Sequence, residues 1–160
     1  MGLNGYSEDR MKRVALASDH GGFGLKAEVK NYLTSKGYEV VDLGTDSETS
    51  VDYPDYGAAA AHAVLENRAD CAIIMCGSGI GISISANKFK GIRCALCFDT
   101  YTAKMCRMHN NANIMALGGR ITTIERAADM VDLFLTTEFE GGRHQKRIDK
   151  IEELAKDSWC

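Results

Sequence analysis

The chain of 160 residues lacks any apolar run approaching ~20 residues, so nothing in it reads as a membrane-spanning helix. It also lacks a basic excess. Lys and Arg number 19 against 22 Asp and Glu, a formal charge of −3, which argues against a general nucleic-acid or acidic-membrane binder. Residues 1–10 are polar and hold no hydrophobic segment of the kind a secretory signal needs. Residues 1–11 are expected to form a disordered extension, and 12–160 a single domain without repeat, low-complexity tract or linker. The only proline, Pro54, falls in an expected polar loop. A second CxxC is missing as well, so Cys94-Ala95-Leu96-Cys97 alone does not meet the four-ligand requirement of a structural zinc site. The chain is no short, core-poor secreted scaffold, so its six cysteines read as reduced thiols in the cytoplasm.

What is present is alternation. Apolar strand-length runs at 13–18, 38–43, 71–76, 92–98 and 113–117 are separated by helical patterns at 24–35, 55–67, 80–87 and about 100–107. A fifth helix opens at Thr122-Thr123-Ile124-Glu125, which reads as a capping box, and ends near Leu135. Short connections and right-handed crossovers then predict an α/β, three-layer Rossmann-like sandwich: a five-stranded parallel sheet with helices on both faces. A last helix at about 145–156 carries Ile148, Ile151, Leu154 and Ala155 on one face with no strand left to cover, so that stripe is expected to pack on a second subunit. Ligands of open parallel sheets bind beyond the carboxyl ends of the strands, which directs attention to the segments that follow each strand.

The segment after the third strand is the richest. The run Cys71-Ala72-Ile73-Ile74-Met75-Cys76 ends on a cysteine, and Gly77, Gly79 and Gly81 follow at alternate positions. A glycine-rich strand-to-helix turn gathers backbone N–H groups that can hold an anion, or it is merely a tight turn. The dinucleotide fingerprint fails, because Ile82 stands where GxGxxG needs its last glycine and the loop follows the third strand instead of the first. Cys76 at the head of the loop is a buried structural thiol or a nucleophile, base or ligand; N–H dipoles close to it favour the reactive thiolate. Arg143 and Arg147 lie four apart on the last helix and, with Arg120, either clamp a phosphate dianion or form a solvated basic face. His20, after the first strand, and His109, after the fourth helix, are of the residue type that serves proton transfer at a sugar ring oxygen, though lone loop histidines are more often surface residues. His62 and His144 read as unremarkable surface residues.

Taken together, Ser18-Asp19-His20-Gly21-Gly22, Tyr53-Pro54-Asp55-Tyr56, Cys76-Gly77-Ser78-Gly79-Ile80-Gly81, His109-Asn110-Asn111-Ala112-Asn113, Gly118-Gly119-Arg120 and Gly142-Arg143-His144-Gln145-Lys146-Arg147 resemble the ribose-5-phosphate isomerase B family. That family also includes the subunits of galactose-6-phosphate isomerase, and the resemblance covers about residues 12–155. It implies an aldose–ketose isomerase acting on ribose 5-phosphate and ribulose 5-phosphate with no metal or other cofactor. By the same resemblance Cys76 is the base that moves a proton between C2 and C1, and Gly77, Ser78, Gly79, Ile80 and Gly81 hold the enediolate. His109 opens the furanose ring with Asp19 close by on the sugar, while Asn110 touches the sugar. His20, Arg120, Arg143 and Arg147 contact phosphate and substrate, at a site shared between two subunits of a homodimer or larger assembly. Two departures stand out. Ser78 replaces a threonine common in the family, which could admit a longer sugar phosphate such as allose 6-phosphate. A branch that replaces the cysteine uses a glutamate six residues on; that position here is Ile82, which places the chain in the cysteine branch. A galactose-6-phosphate isomerase subunit and a non-catalytic sugar-phosphate sensor are the competing readings.

Overall fold

The computed structural model describes residues 11–158, so all of the expected N-terminal extension except Met11 lies outside the described residues. Five strand–helix alternations and a sixth helix make up the described residues: β1 (Arg13–Ser18), α1 (Phe23–Ser35), β2 (Glu39–Asp42), α2 (Tyr53–Leu65), β3 (Cys71–Cys76), α3 (Ile80–Ala86), β4 (Cys94–Leu96), α4 (Thr100–Met108), β5 (Ile114–Gly118), α5 (Ile124–Thr136) and α6 (Arg143–Ala155). All strands are parallel, in the order β2-β1-β3-β5-β4. Strand side chains alternate between two cores, as a period of two requires. Val14, Leu16, Ile73, Met75, Met115 and Leu117 face α1, α4 and α5. Ala15, Ala17, Ala72, Ile74, Cys76 and Ala116 face α2 and α3. The second face is built from small residues, matching the alanines of α2, and it is the face on which the Cys76 side chain lies. From β1 the chain turns toward one edge of the sheet and from β3 toward the other, so the carboxyl ends of β1 and β3 form the switch-point crevice of a doubly wound sheet.

Several boundaries differ from the sequence expectation. The fourth strand is confined to Cys94–Leu96 instead of 92–98. Before it, Ile92 N–H donates to the Phe89 carbonyl and Arg93 N–H to Asn113 Oδ1; after it, the Phe98 N–H turns to the Thr102 hydroxyl. These bonds remove the ladder at both ends of what is an edge strand. Pro54 is not in a loop but in the first turn of α2, where a missing N–H costs nothing. The cap of α5 is Thr123, whose hydroxyl accepts from Arg126 N–H, so the helix begins one residue later than the expected box. In α6, Ile148 is buried against its own chain, whereas Ile151 and Leu154 are 55% and 72% exposed. Together with the edge of β4 this helix borders a groove of about 470 Å³.

At the end of β2, Asp42 receives hydrogen bonds from the buried Lys26 ammonium at 2.6 Å and from Lys30 at 2.9 Å. Burial acts to raise the Asp42 pKa, but Lys26, Lys30 and the Gly44 N–H outweigh it and hold it at about 2, against an ordinary 3.8. A folded-state pKa below the unfolded one gives stability that is complete above about pH 4 and is lost as pH falls through about 2. The depression corresponds to about 2 kcal/mol. Asp42→Asn is expected to lower the unfolding free energy at pH 7 by about that much and to flatten the acid limb between about pH 4 and 2. Urea denaturation across that range checks both; an unchanged acid limb overturns the assignment.

Candidate active site

Three loops meet at the carboxyl rim of the sheet, and they meet backbone to backbone. A Cβ added at Gly21 would lie 2.9 Å from the Gly77 nitrogen, one at Gly22 2.6 Å from the Met75 carbonyl, and one at Gly119 2.5 Å from the Gly21 carbonyl. Hydrogen bonds run through the same contacts: Gly119 N–H donates to the Cys76 carbonyl at 2.8 Å, and Arg120 N–H to the Gly77 carbonyl at 3.1 Å. Cys76 is therefore placed by its main chain, with its side chain only 4% exposed at the mouth of the loop. Gly79 combines a φ of +79° with a virtual Cβ 2.8 Å from the Leu117 carbonyl carbon, so both its conformation and its surroundings demand glycine. Ser78 Oγ accepts the Ile80 N–H at 3.2 Å, which braces the turn.

Around this loop lie four more of the sequence-predicted residues or their neighbours. Asp19 is buried, and its Oδ1 accepts the Gly22 N–H at 3.2 Å. His20 Nδ1 accepts from Val51 N–H at 3.2 Å, which leaves Nε2 as the donor nitrogen of the ring. The Arg120 guanidinium lies over Gly77, with Nη1 3.0 Å from where a Cβ would stand, while its side chain reaches solvent. The Tyr53 ring covers Gly81 in the same manner, at 2.6 Å from a virtual Cβ. Tyr53 has no role assigned in the sequence reading beyond its motif; glycine opposite an aromatic ring is a pairing that spacing does not show.

The other predicted residues are not here. Ile114, the first residue of β5, is in register with Ala72, four residues before Cys76 on β3. At ~3.3 Å per residue that is about 13 Å toward the amino end of the sheet. His109 and Asn110 lie further out still, in the turn that leads from α4 into β5. Arg93 holds that turn by donating to the carbonyls of Asn110 and Asn111, and the buried Arg107 donates to Asn111 Oδ1 and to the Ala112 carbonyl. Asn111 itself has a φ of +45°. Cys76, Gly77, Ser78, Gly79, Ile80, Gly81, Asp19, His20 and Arg120 thus lie at the strand carboxyl ends. His109, Asn110, Arg143 and Arg147 lie toward the opposite end, because a helix that follows a parallel strand runs back to the amino end.

His144 corrects the sequence reading outright. It is 5% exposed, and its ring stacks on that of His109 with centroids 4.2 Å apart and planes inclined by 11°. Glu140 Oε2 lies 3.2 Å from His144 Nε2 and 4.0 Å from His109 Nε2. Burial, the neighbouring His109 and Arg143 lower the His144 pKa against the opposing pull of Glu140. These three donor atoms all lie within 4.8 Å of one another, but parallel rings point their lone pairs side by side and not at one centre. Arg143 and Arg147 follow on the exposed side of α6, one turn apart. His62, by contrast, is the exposed residue it was expected to be, edge-on to Phe89 and 3.8 Å from Glu66.

Among the other thiols, burial pushes Cys71 up to about 12 and Cys94 higher still, which disfavours the thiolate in both. Among the described residues no helix is long and apolar enough to cross a membrane.

A doubly wound parallel sheet whose switch point carries a cysteine and a glycine-packed loop defines an α/β protein of the class whose ligands bind at that rim. The chain belongs to the ribose/galactose isomerase family, whose model matches residues 14–151. It is 45% identical to ribose-5-phosphate isomerase B of Escherichia coli over 141 residues, covering 88% of this chain and 95% of that protein. A solved ribose-5-phosphate isomerase B of Clostridium thermocellum superposes with a TM-score of 0.90 at 49% identity, over 91% of this chain and 99% of that one. The Mycoplasma genitalium enzyme of the same name, solved with bound ribulose-5-phosphate, superposes at 0.86 with 41% identity, over 91% of this chain and 97% of that one.

The two kinds of glycine contact at the rim separate experimentally. Gly119→Ala drives a methyl into main chain that cannot yield and is expected to cost about 1–3 kcal/mol of stability. Gly81→Ala meets only the far end of the partly exposed Tyr53 side chain, which can swing away, so its cost is expected to stay within ~0.5 kcal/mol. Parallel chemical denaturation of the two variants reads the difference; equal losses overturn the main-chain packing account.

Proposed function

We propose that the chain interconverts D-ribose 5-phosphate and D-ribulose 5-phosphate through an enediolate, with Cys76 as the base, at a site that two copies of the chain complete together. The observation that carries the reading is the position of Cys76, at the head of a glycine-packed loop on the switch point of a ribose/galactose isomerase fold. In the aldose direction the Cys76 sulfur, as thiolate, takes the proton from C2. Electrons shift onto the C1 oxygen, the O2 hydroxyl proton passes to O1 within the enediolate, and the same sulfur returns its proton to C1 as the C2 carbonyl forms. The charge that builds on oxygen faces the main-chain N–H groups of the 77–81 loop, and one such preorganised donor is worth roughly 3 kcal/mol in the transition state. Asp19 and His20 flank the sugar, and Arg120 reaches toward it from the third loop.

Ring opening precedes this step. The anomeric hydroxyl gives its proton to the Asp19 carboxylate, the C1–O4 bond breaks as the C1 carbonyl forms, and O4 takes a proton from His109. Within one chain His109 lies beyond the opposite end of the sheet from Cys76. A second copy that presents its amino-end turn to the carboxyl rim supplies His109, Asn110, Arg143 and Arg147 to the substrate. Arg143 and Arg147 share one helical face and would grip the phosphate by charge-assisted hydrogen bonds. The exposed Ile80, Ile84, Leu96, Tyr101 and Ile121 ring the rim and provide apolar surface for such an association. Among the family's substrates, the presence of Cys76, His109 and all three arginines in one chain favours a self-sufficient pentose-phosphate enzyme over a divided galactose-6-phosphate isomerase subunit. The smaller Ser78 leaves allose 6-phosphate as a second substrate to compare.

Cys76→Ala is expected to lower kcat on ribose 5-phosphate by about 10²–10⁴-fold while KM changes little, because the thiol acts in the transition state. Binding with unaltered turnover would sink the base assignment, and sugar-phosphate binding by a wild type without turnover would favour a sensor. The shared site has its own test. Cys76→Ala and His109→Asn, each inactive alone, are expected to recover about a quarter of wild-type activity when the chains are unfolded and refolded as an equal mixture, since a mixed dimer carries one intact site and one doubly altered site. Mixtures as inactive as their parents place both residues in one chain's site instead.

A further inference from the structure

The short connection from α5 to α6 does more than join two helices. Glu140 N–H donates to the Met108 carbonyl at 3.1 Å, so this connection is fastened to the last residue of α4, directly before His109. We propose that Glu140 and His144 are positioning residues for His109, holding its imidazole in the orientation that delivers a proton to the ring oxygen; this rests on the ring-opening role given to His109 above.

Three contacts fix the imidazole from different directions. From its own helix, His109 N–H is bonded to the Met105 carbonyl at 2.9 Å, which sets where the side chain leaves the main chain. Against one face lies the His144 ring, nearly parallel at 4.2 Å and itself buried, so His109 rests on a surface that has little freedom to move. At the nitrogen edge stands Glu140, one carboxylate oxygen reaching both Nε2 atoms at 3.2 and 4.0 Å. The Glu140 carboxylate is also the polar group that stands beside the buried His144 Nε2, which makes no hydrogen bond among the described residues. Burial and the nearby cation disfavour a charge on His144, so the stack keeps one neutral, passive ring beneath the ring that exchanges protons.

The geometry matters because proton delivery to O4 has to coincide with cleavage of C1–O4, and the proton of the anomeric hydroxyl has to leave toward Asp19 in the same event. A ring misplaced by about 1 Å can cost about 10²-fold in such a step. Proton transfer between C2 and C1 needs none of these groups, nor does the binding of a molecule that has no ring to open. The two demands therefore separate.

The test uses Glu140→Gln, which keeps the side-chain shape, and compares two readouts in the assembled enzyme. Turnover of ribose 5-phosphate is expected to fall about 10- to 100-fold. The affinity for an acyclic four-carbon 4-phospho-hydroxamic acid, a mimic of the enediolate, is expected to stay within about 2-fold, and Glu140→Asp is expected to restore part of the turnover. Unaltered turnover in Glu140→Gln overturns the proposal. So does a parallel loss of turnover and of mimic affinity, which would make Glu140 a shaper of the binding pocket. A wild-type enzyme that binds the mimic but does not turn over ribose 5-phosphate overturns the functional reading itself and this inference with it.

Discussion

The constraint on which the rest of the structure depends is the direct main-chain contact between the loops that follow β1, β3 and β5. Gly21 against Gly77, Gly22 against the Met75 carbonyl and Gly119 against Gly21 leave no space for a single methyl group. Interiors are packed closely enough that each of these approaches is fixed to tenths of an ångström. Because the Cys76 and Gly77 carbonyls are also tied to the third loop, the sulfur is located by the sheet itself and owes nothing to a flexible side-chain network. A rigid strand end is the platform that the base role proposed for Cys76 would require.

The choice of core on each face follows from the same geometry. Alternation sends Cys76 toward α2 and α3, the face lined by Ala15, Ala17, Ala72 and Ala116. Small residues there let α2 approach the sheet, and Gly57 lets α2 meet α3 with a virtual Cβ only 3.0 Å from Ser85. A thiol is the one nucleophilic side chain small and apolar enough to sit at the end of such a row without leaving a polar group stranded. The large residues, among them Met75, Met115, Leu117 and Phe134, are gathered on the opposite face, where they supply most of the apolar burial. One face of the sheet thus holds many of the largest buried side chains, and the other carries the Cys76 side chain.

Much of this was legible in the chain. Strand runs bounded by glycine gave all five strands, and the helical spacings gave the six helices, because these follow from periodicity. The losses were local. The edge strand β4 shrank because side chains, Asn113 and Thr102, captured the N–H groups at its ends, and no pattern of hydrophobicity encodes that capture. His144 looked idle because its stacking partner is 35 positions away and the two meet only through the Glu140–Met108 bond. The division of the candidate residues between two ends of the sheet was in principle available. A residue that ends a helix between parallel strands has to lie at their amino end, so His109 could have been placed opposite Cys76 by topology alone.

That division has a physical consequence for any chemistry in which both ends take part. Main-chain contacts hold the carboxyl rim rigid, and Arg93, Arg107 and the histidine stack hold the amino-end turn rigid in its turn. Neither can be carried to the other by a hinge within the chain, because the sheet between them is the stable core and bending it would cost more than any ligand returns. If the two clusters act on one molecule, they do so across a boundary between copies. A two-fold arrangement then creates both junctions at once, since each chain offers one rim and one turn. On the proposed reading, holding the reactive carbons in one chain and the phosphate in the other would let the binding energy of a remote group tighten the contact between His109 and the ring oxygen. The fold sets the two clusters at opposite ends of the sheet, and under the proposed reading association would be the step that brings them together.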